Sequence, residues 1–303
     1  MEEVKIKMGE ELSLFDFPKY KITNKIRLIE LFGGIGSQAM ALRDIGVDFE
    51  HYRLVEFDKC AVASYNAIHG TNFVTMDIKQ THAIDLGIEK RQEFTYLLTY
   101  SFPCTDLSVA GKMAGMSKGS GTRSGLLWEV ERILEECGNE LPQVLVMENV
   151  PQVHSEQNMP DFESWIIFLG KKGYHNFYQD LNAKDYGIPQ NRERCFMVSI
   201  LSPEFVEYNF PKPIKLTTVM KDYLEDNVDE KYYIDNDKAR KLIRELVDNG
   251  TLDRQTEKHT IDLCVKSPRE ISVANCIKAR YDAGISNLQA DGSGVVEQSR
   301  RTV

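Results

Sequence analysis

No apolar run in the chain approaches the roughly 18 residues that a membrane-spanning helix requires, so no membrane partner is expected. The opening stretch MEEVKIKMGEELSLFDFPKY is acidic and holds no apolar signal core, which points to the cytoplasm rather than export. The 6 cysteines contain no CxxC pair. That spacing argues against a zinc ribbon or a disulfide framework and for a reducing compartment, and no metal is expected. A basic excess is also missing: the net charge of −9 weighs against a general polyanion binder. Residues 201–303 hold 16 Lys+Arg against 18 Asp+Glu and residues 1–200 hold 21 against 28, so the C-terminal third is the less acidic part. A local basic cleft on an acidic body would still suit a nucleic-acid enzyme. Neither an internal repeat nor a low-complexity tract is present.

What the chain does hold is enough length, 303 residues, for one large domain and a smaller one. Short apolar runs alternate with helical patterns. Strands are expected over 26–32, 51–57, 72–78, 95–101, 143–150 and 194–200, with helices over about 37–45, 59–69, 122–138 and 162–174. This rhythm predicts an α/β fold with a doubly wound, mainly parallel sheet and helices on both faces. After Leu201 the rhythm fails: proline-punctuated sequence leads to a lone helix over 235–250, then to short strand runs with Gly-rich turns. The expected division is a leader over 1–25, a catalytic domain over 26–204 and a smaller C-terminal region over 205–303.

GGIGSQA places G-x-G-x-x-A (Gly34, Gly36, Ala39) between the first strand and the first helix. Small residues there let a ligand approach the backbone, and Glu56, ending the next strand, is suited to accept bonds from ribose hydroxyls. Phe57 beside it would pack on an adenine face, or be simple core. Asp77 would bond the adenine amino group, or be an ordinary turn residue. This pattern alone does not separate a dinucleotide from S-adenosylmethionine.

Three further sites fall at expected strand ends, where open α/β sheets place their ligands and catalytic groups. Cys104 follows Pro103, which stiffens the backbone beside the sulfur. Glu148 ends the buried run VLVM, a costly place for a carboxylate without a partner or a function. In Gln190-x-Arg192-x-Arg194, a period of two puts both arginines on one face of an extended segment, suited to an acid or a phosphate. A thiol, a carboxylic acid and two guanidinium groups beside an adenosine pocket suit methyl transfer to a poorly nucleophilic ring carbon, such as cytosine C5.

The stretches IELFGGIGS (29–37), VEFDKCAVASYNAIHG (55–70), MDI (76–78), SFPCTDLSVAG (101–111), TRSGLLWEV (122–130), ENVPQV (148–153) and LNAKDYGIPQNRERCFMV (181–198) together resemble the C5-cytosine-specific DNA methyltransferase family, of bacterial or phage restriction–modification type. That resemblance covers about two thirds of the chain. It implies S-adenosylmethionine as methyl donor, double-stranded DNA as substrate and a cytosine flipped out of the duplex. Cys104 would be the nucleophile and Glu148 the acid at cytosine N3, with Arg192 supporting the acid or the sulfur loop and Arg194 near base O2. Phe32, Gly34, Gly36, Glu56, Phe57, Asp77, Ile78 and Pro103 would line the donor pocket, while Ser108, Gly111, Asn149 and Gln190 would contact DNA or the base. The loop from Leu107 to Thr122 would close over the flipped base, and residues after about 205 would begin the target-recognition region.

Departures from the family pattern are Tyr96 where aspartate is common, Thr105 in place of a frequent glutamine, and no Gly-Asn-Ser helix start near the C-terminus. The last implies an incomplete recognition region, a second chain supplying the missing segments, and low activity of this polypeptide alone. The competing functions are a DNA- or partner-binding protein without catalysis, an RNA cytosine methyltransferase of the same architecture, and a nicotinamide-dependent dehydrogenase. The tRNA-type branch carries a Cys-Phe-Thr segment that this sequence lacks, and a dehydrogenase gives no account of Pro103-Cys104, Glu148 or the arginines.

Overall fold

Strand β1 (Lys25–Leu31) is buried on both faces from Leu28 onward, a pattern that belongs at the centre of a covered sheet. It lies between β2 (Phe49–Val55) and β3 (Phe94–Tyr100), parallel to both. Strand β4 (Val144–Asn149) continues the parallel order beside β3. Two more strands, β5 (Tyr174–Asn182) and β7 (Glu193–Leu201), complete a sheet of order β2-β1-β3-β4-β7-β5, with β7 antiparallel to β4. The fold is thus the α/β, mainly parallel arrangement expected, with β7 running antiparallel to its neighbour β4. The structure is a computed structural model that describes residues 20–107, 115–253, 255–263, 269–276 and 292–297.

Helices α1 (Ser37–Asp44), α2 (Lys59–His69), α4 (Leu127–Glu136) and α5 (Met159–Lys171) follow β1 to β4 in turn, with a one-turn α3 (Ala83–Leu86) ahead of β3. Because successive strand residues point to opposite faces, neighbours enter different cores. Ile29 and Leu98 pack with Val130, Ile133 and Leu134 of α4 and with Phe162, Trp165 and Leu169 of α5. Leu28 and Leu97 pack with Ala39 of α1 on the other side. The indole of Trp165 donates to the hydroxyl of Tyr100 (3.0 Å), so both buried aromatics satisfy their polar tips. Helix α2 is stopped at both ends by its sequence. Asp58 accepts from the Cys60 and Ala61 amides (2.7 and 3.0 Å), and Gly70 takes the left-handed conformation at φ 65°.

Two expectations differ from what forms. NFVTMDI (72–78) is irregular rather than a strand. The Asn66 side chain accepts from the Phe73 amide and donates to the Phe73 carbonyl, both at 2.9 Å, which occupies the main-chain groups a ladder with the edge strand β2 would need. Val74 is 73% exposed while Phe73, Met76 and Ile78 turn inward, a spacing no strand face has. Conversely, YHNFYQDLN forms β5 without clear alternation, since its mixed burial carries no period.

Among the described residues, those up to Gln179 together with Cys195–Phe210 form one compact unit, and Asp180–Arg194 with those from Pro211 onward form a second. In the second, β6 (Gln190–Asn191) pairs in parallel with β10 (Ala274–Asn275). Helix α6 (Asp237–Asp248) opens on Asn236, whose side chain accepts from the Ala239 amide. A three-stranded sheet holds β8 (Lys258–Asp262) between β9 (Arg269–Glu270) and β11 (Ser293–Glu297). Its core is small: Leu246, Leu252 and Ile261. No helix of the described residues is long and apolar enough to cross a membrane.

Candidate active site

After Leu31 the chain turns sharply. Phe32 adopts φ 57° and donates from its amide to Val55 O (2.8 Å), a last rung beside β2. Gly34 at φ +56° donates to Glu56 Oε2 (3.1 Å), and a Cβ on it would meet nothing within 4 Å. Its backbone therefore faces open space. Gly36 at φ +83° is different: a Cβ there would lie 2.6 Å from the Tyr65 ring, so this glycine is required by the packing of α2. The second Glu56 oxygen accepts from the Asp58 amide (2.9 Å). Phe57 is 74% exposed. Asp77 is exposed and caps its own turn through Lys79 N (3.0 Å), while Ile78 is buried against the main core.

Behind the turn lies a polar network. Glu30 is fully buried and accepts from the Tyr65 hydroxyl (2.5 Å), which also meets His51 Nδ1 (2.8 Å). Burial pushes the Glu30 carboxyl up to about 7, against the opposing effect of the Tyr65 hydrogen bond. Burial, with His69 nearby, holds the His51 imidazole below its ordinary value. His69 Nε2 lies 3.0 Å from Ile35 O, at the turn itself.

On the neighbouring strand, the register pairs Tyr100 of β3 with Met147 of β4. The next residue of β4 is Glu148, so its carboxyl-bearing position stands level with the point where the Cys104 loop leaves β3. The loop is held by its carbonyls. Asn149 Nδ2 donates to Phe102 O (3.0 Å), and Ser124 Oγ donates to Pro103 O (2.7 Å). Asp106 Oδ2 accepts from the amides of Arg123 and Ser124 (2.8 and 3.2 Å), and Leu107 N closes a turn onto Cys104 O (3.0 Å). Cys104 is half-buried, packed in part against the main core, and Glu148 is half-buried as well. Gln38 of α1 donates to Ser101 Oγ (3.1 Å), which ties the helix after the glycine turn to the base of the Cys104 loop.

The first unit thus contains Phe32, Gly34, Gly36, Glu56, Phe57, Asp77, Ile78, Pro103, Cys104, Glu148 and Asn149. Asn149 is 2% exposed and its amide is engaged with Phe102 O and the Val150 amide. Gln190, Arg192 and Arg194 belong to the second unit. There Arg192 receives a main-chain bond from Ala183 (2.9 Å) and reaches Cys276 Sγ (3.7 Å), and Arg194 donates to Glu193 O (2.7 Å). Glu193 is exposed between the two half-buried arginines, and the strand enters the large sheet at Cys195, opposite Asn149. Ser108 and Gly111, with the whole stretch 108–114 of the loop expected to close over a base, lie outside the described residues. Ser124, Asp106 and Gln38 escaped the sequence reading. A hydroxyl that bonds a carbonyl 21 residues earlier leaves no local pattern.

The model of the C-5 cytosine-specific DNA methylase family matches residues 26–300. The Type II methyltransferase M2.ScrFI of Lactococcus lactis subsp. cremoris is 34% identical, the match covering 71% of this chain and 71% of that one. The orphan methyltransferase M.SssI of Spiroplasma monobiae is also 34% identical, over 71% of this chain and 68% of its own. Among solved structures, the Dnmt2 methyltransferase of S. pombe shares the fold at a TM-score of 0.54 and 21% identity, covering 76% of this chain and 67% of that one. With the family model matching most of its length and relatives 34% identical over about 70% of it, the chain belongs to the C-5 cytosine-specific DNA methylase family.

Proposed function

We propose that this chain transfers a methyl group from S-adenosylmethionine to C5 of a cytosine flipped out of double-stranded DNA, through a covalent adduct at Cys104. The observation that carries the proposal is the level placement of the Cys104 loop and Glu148 on adjacent strand ends, with the loop carbonyls fixed by Asn149 and Ser124. The open side of Gly34, the exposed Phe57 ring and the nearby Asp77 turn fit an adenosine. When bound, the donor supplies an electrophilic sulfonium methyl.

The remaining chemistry falls to side chains. The Cys104 thiolate adds to cytosine C6, and Glu148 holds a proton at N3, which stabilises the charge that develops in the ring and makes C5 nucleophilic. After methylation, removal of the C5 proton expels the Cys104 sulfur and restores the aromatic ring. Asn149 acts by holding the Phe102 carbonyl rather than by touching the base. Arg192 and Arg194 supply positive charge toward the substrate, with Gln190 two residues before Arg192 in the chain, and the region after about 205 reads the target sequence in the major groove. Residues 26–204 carry the chemistry in this reading.

Duplex DNA containing 5-fluorocytosine tests it, because fluorine in place of the C5 proton traps the adduct. Wild type is expected to form a denaturation-resistant complex, Cys104→Ser none, and Glu148→Gln the same complex about 100-fold more slowly or worse. Trapping by Cys104→Ser at the wild-type level would sink the assignment.

A further inference from the structure

The Asp77–Thr81 turn faces a mechanical problem. Because 72–78 forms no strand, no ladder holds the turn in place: Met76 N donates to Glu56 O just ahead of it (2.9 Å) and Ile78 is buried, while its internal bonds (Gln80 N and Thr81 Oγ1 to Asp77 O, both 2.9 Å) fix its shape. A side-chain anchor on the far side of the turn comes from α4. Arg132 Nη2 donates to Ile78 O (3.0 Å) and Thr81 O (2.8 Å). The rest of the same guanidinium is clamped on its own helix, Nε to Glu129 (2.8 Å) and Nη1 to Glu136 (2.7 Å). Glu136 then accepts from the Ala83 amide (3.1 Å), which extends the contact past the turn.

The opposite end of the same helix meets the other side of the site. Ser124 and Arg123, in the turn that opens α4, bind Pro103 O and the Asp106 carboxylate on either side of Cys104. Between these ends, Leu127, Val130, Ile133 and Leu134 are buried, so the helix is seated in the main core and has little freedom to tilt. One rigid body therefore grips both the turn at 77–81 and the loop at 103–107.

We propose that α4 is a strut that sets the spacing between methyl donor and nucleophile, with Arg132 the positioning residue on the donor side and Ser124 on the thiol side. The proposal rests on the reading that Asp77 and Ile78 line the donor pocket. A planar guanidinium suits such a grip, because it presents several donors in one fixed fork, whereas an ammonium is a point charge. Neither residue touches a reacting atom, so each should act mainly on one parameter.

The test measures S-adenosylmethionine affinity by calorimetry and the 5-fluorocytosine trapping rate at saturating donor, with circular dichroism to verify folding. Arg132→Ala is expected to weaken donor binding about tenfold and to leave the saturated trapping rate within about twofold. Arg132→Lys, which keeps the charge and the stem if the alanine variant does not fold, should weaken binding about threefold or more. Ser124→Ala should do the reverse, slowing trapping about tenfold while weakening the donor by about threefold at most, since the Pro103 it holds also borders the donor pocket in this reading. Lys172→Ala removes an ion pair to Glu135 on the same helix (3.2 Å), outside both grips, and should change neither quantity. If Glu56→Ala weakens the donor while both Arg132 variants bind normally, the strut is overturned and the pocket stands. If neither Glu56 nor Arg132 matters, the pocket reading falls and the strut with it. An equal loss in Lys172→Ala would reduce the effect to helix stability and overturn the strut as well.

Discussion

The glycine turn after β1 and the Pro-Cys loop after β3 leave neighbouring strands of one sheet, yet they are held by different physics. Side chains packed behind the turn shape it: the Tyr65 ring excludes any Cβ at Gly36, and Glu30, Tyr65 and His51 form a buried polar chain beneath it. The loop instead has its Phe102 and Pro103 carbonyls captured by a neutral amide and a neutral hydroxyl. The donor side should therefore respond to volume and to pH. The thiol side should respond to the loss of single hydrogen bonds and be indifferent to pH around neutrality.

The sharpest way to break this comparison is at the two glycines. Gly36→Ala adds a Cβ that would meet the Tyr65 ring at 2.6 Å, on a backbone at φ +83°. Left-handed strain and overpacking together should cost about 2–5 kcal/mol. Gly34→Ala has similar strain at φ +56° but open space around the new atom, so it should cost only about 1–2 kcal/mol. Its larger effect should be on donor binding, into whose space the methyl would project. Urea unfolding of both variants, with calorimetry of the folded one, checks the pair. Equal destabilisation would remove the packing argument for Gly36.

How far the sequence anticipated this arrangement depends on whether a group acts locally. The positions of Gly34, Gly36 and Cys104 in turns at strand ends were legible, because a turn between a strand and a helix needs small residues and an apolar run that stops at Ser-Phe-Pro-Cys marks where a strand ends. Sequence spacing did not separate the two glycines, since the difference lies in Tyr65 and His69, some thirty residues away. The strand expected at 72–78 fails for a similar reason: Asn66, on α2, takes the main-chain groups of Phe73. Asn149 reads in sequence as a base contact after a catalytic acid, and only the register with β3 turns its amide toward Phe102 O.

The ionisable centre of the donor side gives the next largest effect. Burial raises the Glu30 carboxyl from its ordinary 4.5 to about 7, so between those pH values the folded chain keeps a proton that the unfolded chain has released. The resulting stabilisation is fully present below pH about 4.5 and is lost as pH rises through about 7. At about 1.4 kcal/mol per unit, it amounts to roughly 3 kcal/mol across the window. Glu30→Gln cannot ionise. Measured by urea unfolding, wild type should therefore lose stability relative to the variant by about 2–3 kcal/mol on going from pH about 5 to about 8. Parallel pH profiles for the two proteins would show that Glu30 titrates normally.

Asn149→Ala makes the smallest change and isolates the thiol side. It leaves Phe102 O, in a residue 2% exposed, without its side-chain donor. An orphaned buried carbonyl of this kind should cost about 1–2 kcal/mol. Neither partner ionises near neutrality, so the cost should be the same at pH about 5 and about 8, in contrast to Glu30→Gln. The Phe102 carbonyl lies two residues before Cys104, so loosening it should also slow 5-fluorocytosine trapping about tenfold, with S-adenosylmethionine affinity unchanged. A pH-dependent stability loss, or a drop in donor affinity with normal trapping, would mean that the two sides share one support. The division between a packed, proton-linked turn and a hydrogen-bonded, pH-insensitive loop would then be wrong.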